Sequence, residues 1–412
     1  MSSNKRRPLL SIVIPTRNRQ KFAEVCVDSL LSIPDDDLEV VIQDNSDTEK
    51  LGEYFRSHVQ DSRLRYHYSS GPLSIIHNFE AAARVATGHY LCFIGDDDSV
   101  NPEIMDAARW AMSNDIDTLK PASNAFYLWP GSKRASTMFS DVPQETGRLT
   151  INRFSEGVVY PDNERELAKL ARKGGQEYLS IELPKLYHGI VRRECLDLVF
   201  QKTGNYFGGL SPDIFAAVSL AICARKSVFI DYPLTLPGAC PKSASIDDQV
   251  GNHTGDLSDA PHLVNRGSYE WADRVPRYYS VRTIWADSAI AALRDMGRDD
   301  LLGKFNLPYL AAACLWSDSG YARIILGDYY RSQSRLGKRF IASTYLLFTS
   351  FLTGPIRLLL KRIANRVRII VRGQNFSQID DVGDTKVAVG KLVDHLKENG
   401  KSFSVCVGRS II

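Results

Sequence analysis

The sequence has little of what marks a secreted, disulfide-stabilised or membrane-spanning protein. Its seven cysteines are dispersed and no two form a CxxC pair, so neither a disulfide framework nor a zinc knuckle is expected. The basic N-terminus leads only into a short apolar run that ends at Pro15, which predicts a first strand rather than a signal peptide. These absences favour a location in the reducing cytoplasm.

Strong net charge is also lacking. The formal charge of +3 over 412 residues is too small to indicate a nucleic acid partner, and none is expected. The charge is unevenly placed, because residues 331–375 contain ten basic residues and no acidic one. Such a stretch favours an anionic partner, and a membrane surface is the first candidate.

No apolar run in this basic region is long enough to span a bilayer. Residues 340–356 would extend about 25 Å as a helix, which is short of a hydrocarbon core of about 30 Å. Over 340–370, apolar residues recur at helical spacing beside a polar, basic face, which predicts a helix lying in the plane of an anionic leaflet. The alternative is a helix packed on the protein's own surface.

Residues 9–130 alternate apolar strands with helical stretches, the pattern of a mostly parallel α/β sheet. Continuous apolar runs at 10–14 (LSIVI), 38–43 (LEVVIQ) and 90–94 (YLCFI) predict strands buried on both faces, and 64–68 predicts a further strand. The intervening helices are expected at 22–33, 74–86 and 101–112.

Three adjacent carboxylates, Asp96, Asp97 and Asp98, follow the apolar strand at 90–94. Because like charges repel, folding alone does not favour such a cluster. A hard divalent cation that bridges carboxylate and diphosphate oxygens would relieve the repulsion. Asp96 and Asp98 would face the same side, one toward the donor sugar or ribose and one toward the metal. The alternative is a solvated acidic turn in which Asp98 or Ser99 caps the next helix.

Polar residues also end the first two predicted strands. Pro15, Thr16 and Arg17 end the first strand, and Asp44 ends the second. Ligands bind at the carboxyl ends of strands in open α/β sheets, so these ends and the aspartate cluster predict one nucleotide site. Asp44 would accept a hydrogen bond from a base, although an Asx turn also explains it. For Arg17, as for Arg19, the alternative is an ordinary surface charge.

In order, SIVIPTRNR, VVIQDNSD, a helix containing His77 and Asn78, and GHYLCFIGDDDSVNP resemble the nucleotide-binding half of family 2 glycosyltransferases with the GT-A fold. The resemblance covers residues 9–125 and implies a nucleotide-sugar donor and a divalent metal, Mn²⁺ or Mg²⁺. One departure is the DNS sequence at 44–46, where many members have Asp-Asp-Gly or Asp-Gly-Ser. It loosens any assignment of the base as uracil.

The resemblance also implies roles for individual residues. Asp96 and Asp98 would form the DxD pair, with Asp98 as the direct metal ligand and His253 completing the metal shell. A histidine in a Gly-rich loop is also explained without any role as ligand or catalyst. Lys242 lies in a loop that in related enzymes closes over the diphosphate. The donor-binding residues implied are Pro15, Thr16, Arg17, Asp44, Asn78, Asp96, Asp97 and Lys242.

An inverting transfer needs a general base on the acceptor side. In the family this is a carboxylate at the start of a helix in the C-terminal part of the catalytic domain. Asp213 matches this place, since Ser211 is a good N-cap and Pro212 suits the first helical turn. Family members usually have an acidic residue where this chain has Pro212. Capping and the helix dipole also explain an aspartate in a first turn.

The predicted fold class is α/β, a GT-A type mostly parallel twisted sheet flanked by helices, with a C-terminal helical extension. Residues 1–260 would form the catalytic domain, with a nucleotide-sugar-binding half at 9–130 and an acceptor half at 131–260. The remaining segments are a helical extension at 261–332, a basic amphipathic segment at 333–375 and a tail at 376–412.

The predicted function is the inverting transfer of a sugar from a nucleotide-diphosphate sugar to an acceptor hydroxyl, in cell-surface polysaccharide or glycan synthesis. A glycan or lipid-linked acceptor is expected, with peripheral contact through 340–370 at the inner face of the membrane. One alternative is a sugar nucleotidyltransferase, although residues 15–19 lack the glycine-rich loop that such an enzyme needs. The other is a non-catalytic, membrane-associated nucleotide-sugar-binding protein, against which the retained aspartates at 96–98 and Asp213 argue.

Overall fold

The computed structural model describes residues 7–132, 145–241, 254–334, 344, 347–349, 351–352 and 376–408. Two predicted site residues, Lys242 and His253, lie outside the described residues. Most of the basic amphipathic segment lies outside them as well, so the in-plane helix over 340–370 stays a prediction. No helix among the residues described is both long and apolar enough to cross a membrane.

The secondary structure begins with the alternation of strands and helices that the sequence predicts. The strands are β1 (Leu10–Thr16), β2 (Leu38–Asp44), β3 (Leu64–Tyr68), β4 (Tyr90–Phe93), β5 (Ser99–Val100), β6 (Thr118–Pro121), β7 (Ala125–Leu128), β8 (Arg148–Asn152), β9 (Val158–Val159), β10 (Ile190–Arg192), β11 (Ser227–Ile230), β12 (Thr235–Leu236), β13 (Gly238–Ala239), β14 (Thr254–Gly255), β15 (Tyr279–Ser280) and β16 (Phe376–Ile379). The helices are α1 (Gln20–Leu31), α2 (Lys50–His58), α3 (Ile75–Val85), α4 (Ile104–Ser113), α5 (Asn163–Arg172), α6 (Arg193–Thr203), α7 (Pro212–Cys223), α8 (Val281–Asp295), α9 (Asp299–Leu302), α10 (Leu307–Ser317), α11 (Ala322–Ser334), α12 (Thr385–Glu398) and α13 (Phe403–Gly408).

The central sheet has eight strands in the order β3-β2-β1-β4-β10-β6-β11-β9. The first four in this order are mutually parallel, and β6 is parallel to β11. Strand β10 runs antiparallel between β4 and β6, and β9 is antiparallel at the edge. The predicted fold class, a mostly parallel sheet flanked by helices with further helices towards the C-terminus, is confirmed.

The apolar runs become central strands because helices cover both faces of the sheet. Alternate side chains of a strand point to opposite faces, and in β1 Val13 joins one core cluster while Ile12 and Ile14 join the other. Helices α3, α6, α7, α8 and α10 pack in the first cluster, and α1, α4, α12 and α13 pack in the second. This two-sided burial leaves the carboxyl ends of the parallel strands as the open edge.

Residues 376–408, expected to form an appended tail, are instead built into the second core cluster. Strand β16 pairs antiparallel with β8, so that Phe376 lies opposite Asn152 and Ile379 opposite Leu149. The Tyr127 hydroxyl donates to the Val382 carbonyl oxygen at 2.7 Å. The partner strand lies more than 200 positions earlier in the chain, and short strands with distant partners carry little local signal.

The helices of residues 281–334 extend the first core cluster rather than forming a separate layer. Helix α8 packs against α7 and begins with a capping box formed by Ser280 and Thr283. This extension therefore supports α7, the helix whose first turn contains the predicted base.

Candidate active site

The carboxyl ends of β1 and β4 meet at one edge of the sheet, as the sequence predicts. There the Thr16 hydroxyl donates to Asp96 Oδ2 at 2.6 Å. Asn78, in the first turn of α3, donates to the Thr16 carbonyl oxygen at 3.3 Å, while its own Oδ1 is buried with no hydrogen-bond partner among the residues described. Three predicted donor residues therefore lie in one hydrogen-bonded chain.

The three adjacent aspartates are buried, with Asp96, Asp97 and Asp98 only 3%, 4% and 2% exposed. Asp98 Oδ1 accepts from the backbone N–H of Gly238, and Oδ2 accepts from that of Gly95, each at 2.6 Å. The solvated acidic turn is thereby excluded. Helix capping by Asp98 is excluded as well, because β5 follows it and α4 begins only at residue 104.

Arg19 is the cation that contacts two of these carboxylates, although its sequence context favours an ordinary surface charge. Its guanidinium lies 3.0 Å from Asp96 Oδ1 and 2.8 Å from Asp97 Oδ2, and the side chain is only 22% exposed. Phe22, in the first turn of α1, packs under the guanidinium, with its ring centroid 5.5 Å from Arg19 Cζ. Reading Arg19 as an exposed charge is therefore wrong, because the loop after β1 turns it inward.

The carboxylates differ in protonation behaviour although they are adjacent. Burial raises the pKa of Asp96 well above its usual value, and the charge of Arg19 only partly opposes this rise. Burial would also raise the pKa of Asp98, but His188 and the N–H donors of Gly95 and Gly238 outweigh it and lower that pKa. Asp98 is thus held as an anion, whereas Asp96 is the less stabilised carboxylate.

Tyr187 and His188 complete the surroundings of Asp98, and neither residue is among the predicted site residues. The Tyr187 hydroxyl donates to Asp98 Oδ2 at 3.0 Å, and His188 Nε2 lies 3.2 Å from the same oxygen. His188 has a left-handed backbone with φ of +62°, and its N–H donates to the Phe93 carbonyl oxygen. Such backbone strain in a non-glycine residue is typical of functional sites. A His-Gly pair in an irregular segment is the only sequence signal.

Asp213 lies in the first turn of α7, where the sequence predicts the general base. The side chain is partly buried, and burial raises its pKa while Lys185 and His188 oppose the rise. Burial also raises the pKa of Tyr187, with Asp98 and Asp213 both adding to the shift. The charges of both carboxylates act on Tyr187, and the charge of His188 acts on both carboxylates, so Asp98 and Asp213 share these two neighbours.

Asp44 is fully buried at the end of β2. Its Oδ1 accepts from the Ser46 N–H at 2.8 Å, which is the Asx-turn alternative, and its Oδ2 accepts from the Tyr66 hydroxyl at 2.9 Å. Arg17 is exposed and lies 3.5 Å from Asp47, as a surface charge would. The nucleoside contacts of Asp44 and Arg17, and that of Pro15, stay predictions.

The loop predicted to close over the diphosphate begins against the aspartate cluster. A Cβ at Gly238 would lie 1.8 Å from the Asp97 carbonyl oxygen, so only glycine fits there. The same carbonyl accepts from Trp129 Nε1 at 2.8 Å, and the Cys240 N–H donates to Asp97 Oδ2 at 3.1 Å. The chain then continues into the undescribed stretch that contains Lys242.

The side chains at this edge of the sheet have the chemistry of metal ligands without the arrangement of a complete metal site. Within the described ranges, no group of three or more His, Cys, Asp or Glu side chains is arranged to hold a metal ion. The chemistry still suits a hard cation, because the aspartates offer oxygen ligands and Asp96 Oδ1 is buried without a hydrogen bond. Asp98, the predicted direct ligand, would have to release a protein donor first.

Fold and site together define an α/β protein with a buried carboxylate site at the open edge of a mostly parallel sheet. Residues 11–117 match the family model described as "Glycosyl transferase family 2". The match confirms the resemblance over the segment that contains β1 to β4 and the aspartate cluster. The uncharacterized glycosyltransferase EpsJ of Bacillus subtilis (strain 168) is 33% identical over 96 residues, which are 23% of this chain and 27% of that protein.

Solved structures of S. aureus TarS were also matched. TarS residues 1–349 in complex with UDP-GlcNAc align with a TM-score of 0.42 and 16% identity, covering 79% of this chain and 92% of that one. The same TarS fragment in complex with UDP aligns with a TM-score of 0.39 and 16% identity, covering 80% of this chain and 92% of that one. The chain spans about a quarter of the length of the curated relative EpsJ.

Proposed function

We propose that the protein is an inverting glycosyltransferase that moves a sugar from a nucleotide-diphosphate sugar to an acceptor hydroxyl. The observation that carries this proposal is the buried cluster of Asp96, Asp97 and Asp98, which lies at the sheet edge within the segment that matches the family model. Ligands of open α/β sheets bind at this edge. Burial of three adjacent carboxylates disfavours their charged forms, and this cost is expected where the carboxylates bind a ligand.

Asp213 is the proposed general base. Its carboxylate would take the proton of the acceptor hydroxyl as the hydroxyl oxygen bonds to the anomeric carbon and the bond to the diphosphate breaks. A pKa raised by burial makes the ionised carboxylate a stronger base than an exposed aspartate. The charges of Lys185 and His188 oppose that rise in the pKa and so favour the ionised form that a general base requires.

A divalent cation, Mn²⁺ or Mg²⁺, is proposed to be held by Asp96 and Asp98. When bound, it supplies positive charge to the leaving diphosphate. The chain's own part is to keep Asp98 ionised through His188 and two backbone N–H groups, and to orient Asp96 through Thr16. His253 and Lys242 remain further candidates for the metal shell and the diphosphate.

The acceptor is proposed to be a glycan or a lipid-linked molecule in cell-surface polysaccharide synthesis, reached from the cytoplasm. The basic, acid-free composition of 331–375 supports peripheral contact with the inner membrane face. Nothing in the net charge or the site suggests a nucleic acid partner.

The first test is a thermal-shift screen of UDP-, GDP-, dTDP- and CMP-sugars with Mn²⁺, which selects the donor. With that donor, Asp213→Asn is expected to leave donor binding unchanged while kcat falls at least about 100-fold, because the base is lost and the carboxamide keeps the shape. Release of nucleoside diphosphate measures kcat, and calorimetry measures donor binding.

The matched control is Asp106→Asn, which changes an exposed aspartate of α4 and should leave both quantities unchanged. Activity that survives in Asp213→Asn would place the base elsewhere. Pyrophosphate release from a nucleoside triphosphate and a sugar 1-phosphate would instead identify a nucleotidyltransferase. Full activity in EDTA would remove the metal from the proposal and keep the transfer.

A further inference from the structure

Arg19 lies in the loop after β1, and its side chain has no part in forming the neighbouring strand or helix. It is the residue immediately before α1, and its side chain makes no capping hydrogen bond to that helix. The guanidinium instead reaches the end of β4, where it contacts Asp96 and Asp97, and it also lies 2.8 Å from Cys240 Sγ. Two segments that are distant from Arg19 in the sequence, one after β4 and one at Cys240, therefore meet at its guanidinium.

The contact with Asp96 is electrostatic without being a good hydrogen bond. Arg19 Nε and Asp96 Oδ1 are 3.0 Å apart, yet both atoms are buried and neither has a hydrogen-bond partner in the described part of the chain. Asp97, in contrast, is held by the other end of the guanidinium at 2.8 Å. Of the two carboxylates that Arg19 contacts, Asp96 is therefore the one that it binds less well.

A guanidinium and a divalent cation compete for such oxygens. Arg19 carries one positive charge shared between two carboxylates, whereas a divalent cation brings two charges and binds oxygens directly. Like charges a few ångströms apart repel, so both cannot occupy the Asp96 oxygen together. Arginine does not lose its proton in proteins, so Arg19 has to move rather than neutralise.

We infer that Arg19 is a resident counter-cation that competes with the divalent metal for Asp96, one of the two carboxylates proposed to hold that metal. This inference rests on the proposed metal-dependent transfer. Without the donor, Arg19 keeps the carboxylate site closed and metal affinity low. The donor diphosphate gives the displaced guanidinium a new anionic partner, so that metal and donor bind together rather than separately.

The test is to measure binding of Mn²⁺ alone to the full-length protein, from the loss of the free-ion electron paramagnetic resonance signal. In Arg19→Met, we expect Mn²⁺ to bind about tenfold more tightly than in the wild type, because the competing charge is removed. Arg19→Lys keeps a charge and should fall between the two. Arg109→Met, which removes an exposed arginine that pairs with Asp35 and Asp106, should match the wild type.

The melting temperature is a second measurement, which shows whether Arg19→Met is folded and whether Mn²⁺ stabilises it. Arg19→Met should melt at a lower temperature than the wild type in EDTA, and Mn²⁺ should raise its melting temperature more than that of the wild type. Equal Mn²⁺ affinity and equal Mn²⁺ stabilisation in the two proteins would overturn the inference and leave the proposed transfer standing. If neither protein binds Mn²⁺ and the donor is used fully in EDTA, the metal part of the proposed function fails together with the inference.

Discussion

A buried carboxylate outside the candidate site shows what burial of a charged group costs. Asp287, on α8, is 1% exposed and accepts from the Ala272 N–H at 2.8 Å and from the Tyr269 hydroxyl. Burial raises its pKa to about 6, although both hydrogen bonds oppose the rise. No cation is within ion-pair distance of it among the described residues. Asp287 therefore weakens the fold whenever it is ionised.

The pH dependence of stability follows from this pKa. Between the ordinary aspartate value near 4 and about 6, the folded state binds more protons than the unfolded state, so the free energy of unfolding falls as pH rises. Asp287→Asn mimics the protonated form, because its Oδ1 can still accept from the Ala272 N–H while its Nδ2 donates to the Tyr269 oxygen in a reversed hydrogen bond. At pH 7 we expect it to be more stable than the wild type by up to about 3 kcal/mol, and to match it near pH 4.

Urea unfolding at several pH values measures this difference directly. Asp295→Asn, in the same helix but exposed, is the control and should change stability by less than about 0.5 kcal/mol at any pH. A stability difference between wild type and Asp287→Asn that did not grow from pH 4 to pH 7 would contradict the raised pKa.

Residues differ in how far the sequence reveals their roles. The position of Asp96 and Asp98 at the open edge of the sheet is predictable, because they directly follow an apolar strand that is buried on both faces. Arg19 and His188 are not, since a charged residue in a loop and a histidine beside a glycine are ordinary on a protein surface. Their roles depend on which segments meet at the end of β4, and this is set by tertiary packing.

At the scale of elements, local pattern was sufficient for β1, β2 and β4 and for the helices between them. Buried parallel strands need apolar side chains on both faces, so each is recognisable as a run of five or six consecutive, mostly apolar residues. Strand β10 is only three residues long and enters the sheet antiparallel from a distant segment. The same holds for β16, which contacts a strand that is remote in sequence.

Helix α12 tests whether the C-terminal residues are part of the core. Leu392 is fully buried in the second core cluster, whereas Val387 on the same helix is 44% exposed. Leu392→Ala should lower the free energy of unfolding by about 3 kcal/mol because it leaves a cavity, and Val387→Ala should change it by less than about 0.5 kcal/mol. Denaturant unfolding of the full chain measures both. Equal, small effects would mean that α12 does not pack as described.

At the scale of the whole molecule, positive charge is concentrated in residues 331–375, while the rest of the sequence is mixed in sign. The basic region lies between α11 and β16, two elements that are both anchored in the fold. Removing everything after residue 330 would therefore also remove α12 and α13 from the core. A test of membrane binding needs substitutions in the full chain instead of truncation.

The variant that tests membrane contact replaces Arg357, Lys361, Arg362, Arg366 and Arg368 with glutamine. Each basic residue near an anionic surface contributes about 1 kcal/mol, so binding to phosphatidylglycerol vesicles should weaken at least about 100-fold. Sedimentation with vesicles measures binding, and vesicles of phosphatidylcholine alone should bind neither protein well. High salt should weaken the wild type towards the variant, because the attraction is screened.

Unfolding measurements on the same variant separate the two interpretations of residues 340–370. A helix that lies on a leaflet has its basic face in contact with lipid, so removing five charges should leave the stability of the free protein nearly unchanged. A helix packed on the protein's own surface would lose contacts with acidic partners, and its stability would fall while vesicle binding stayed the same. Because the donor site lies elsewhere in the chain, transfer to a small soluble acceptor should be equal in both proteins. If the variant loses transfer only to an acceptor embedded in vesicles, the basic segment brings the enzyme to the membrane surface where the acceptor lies.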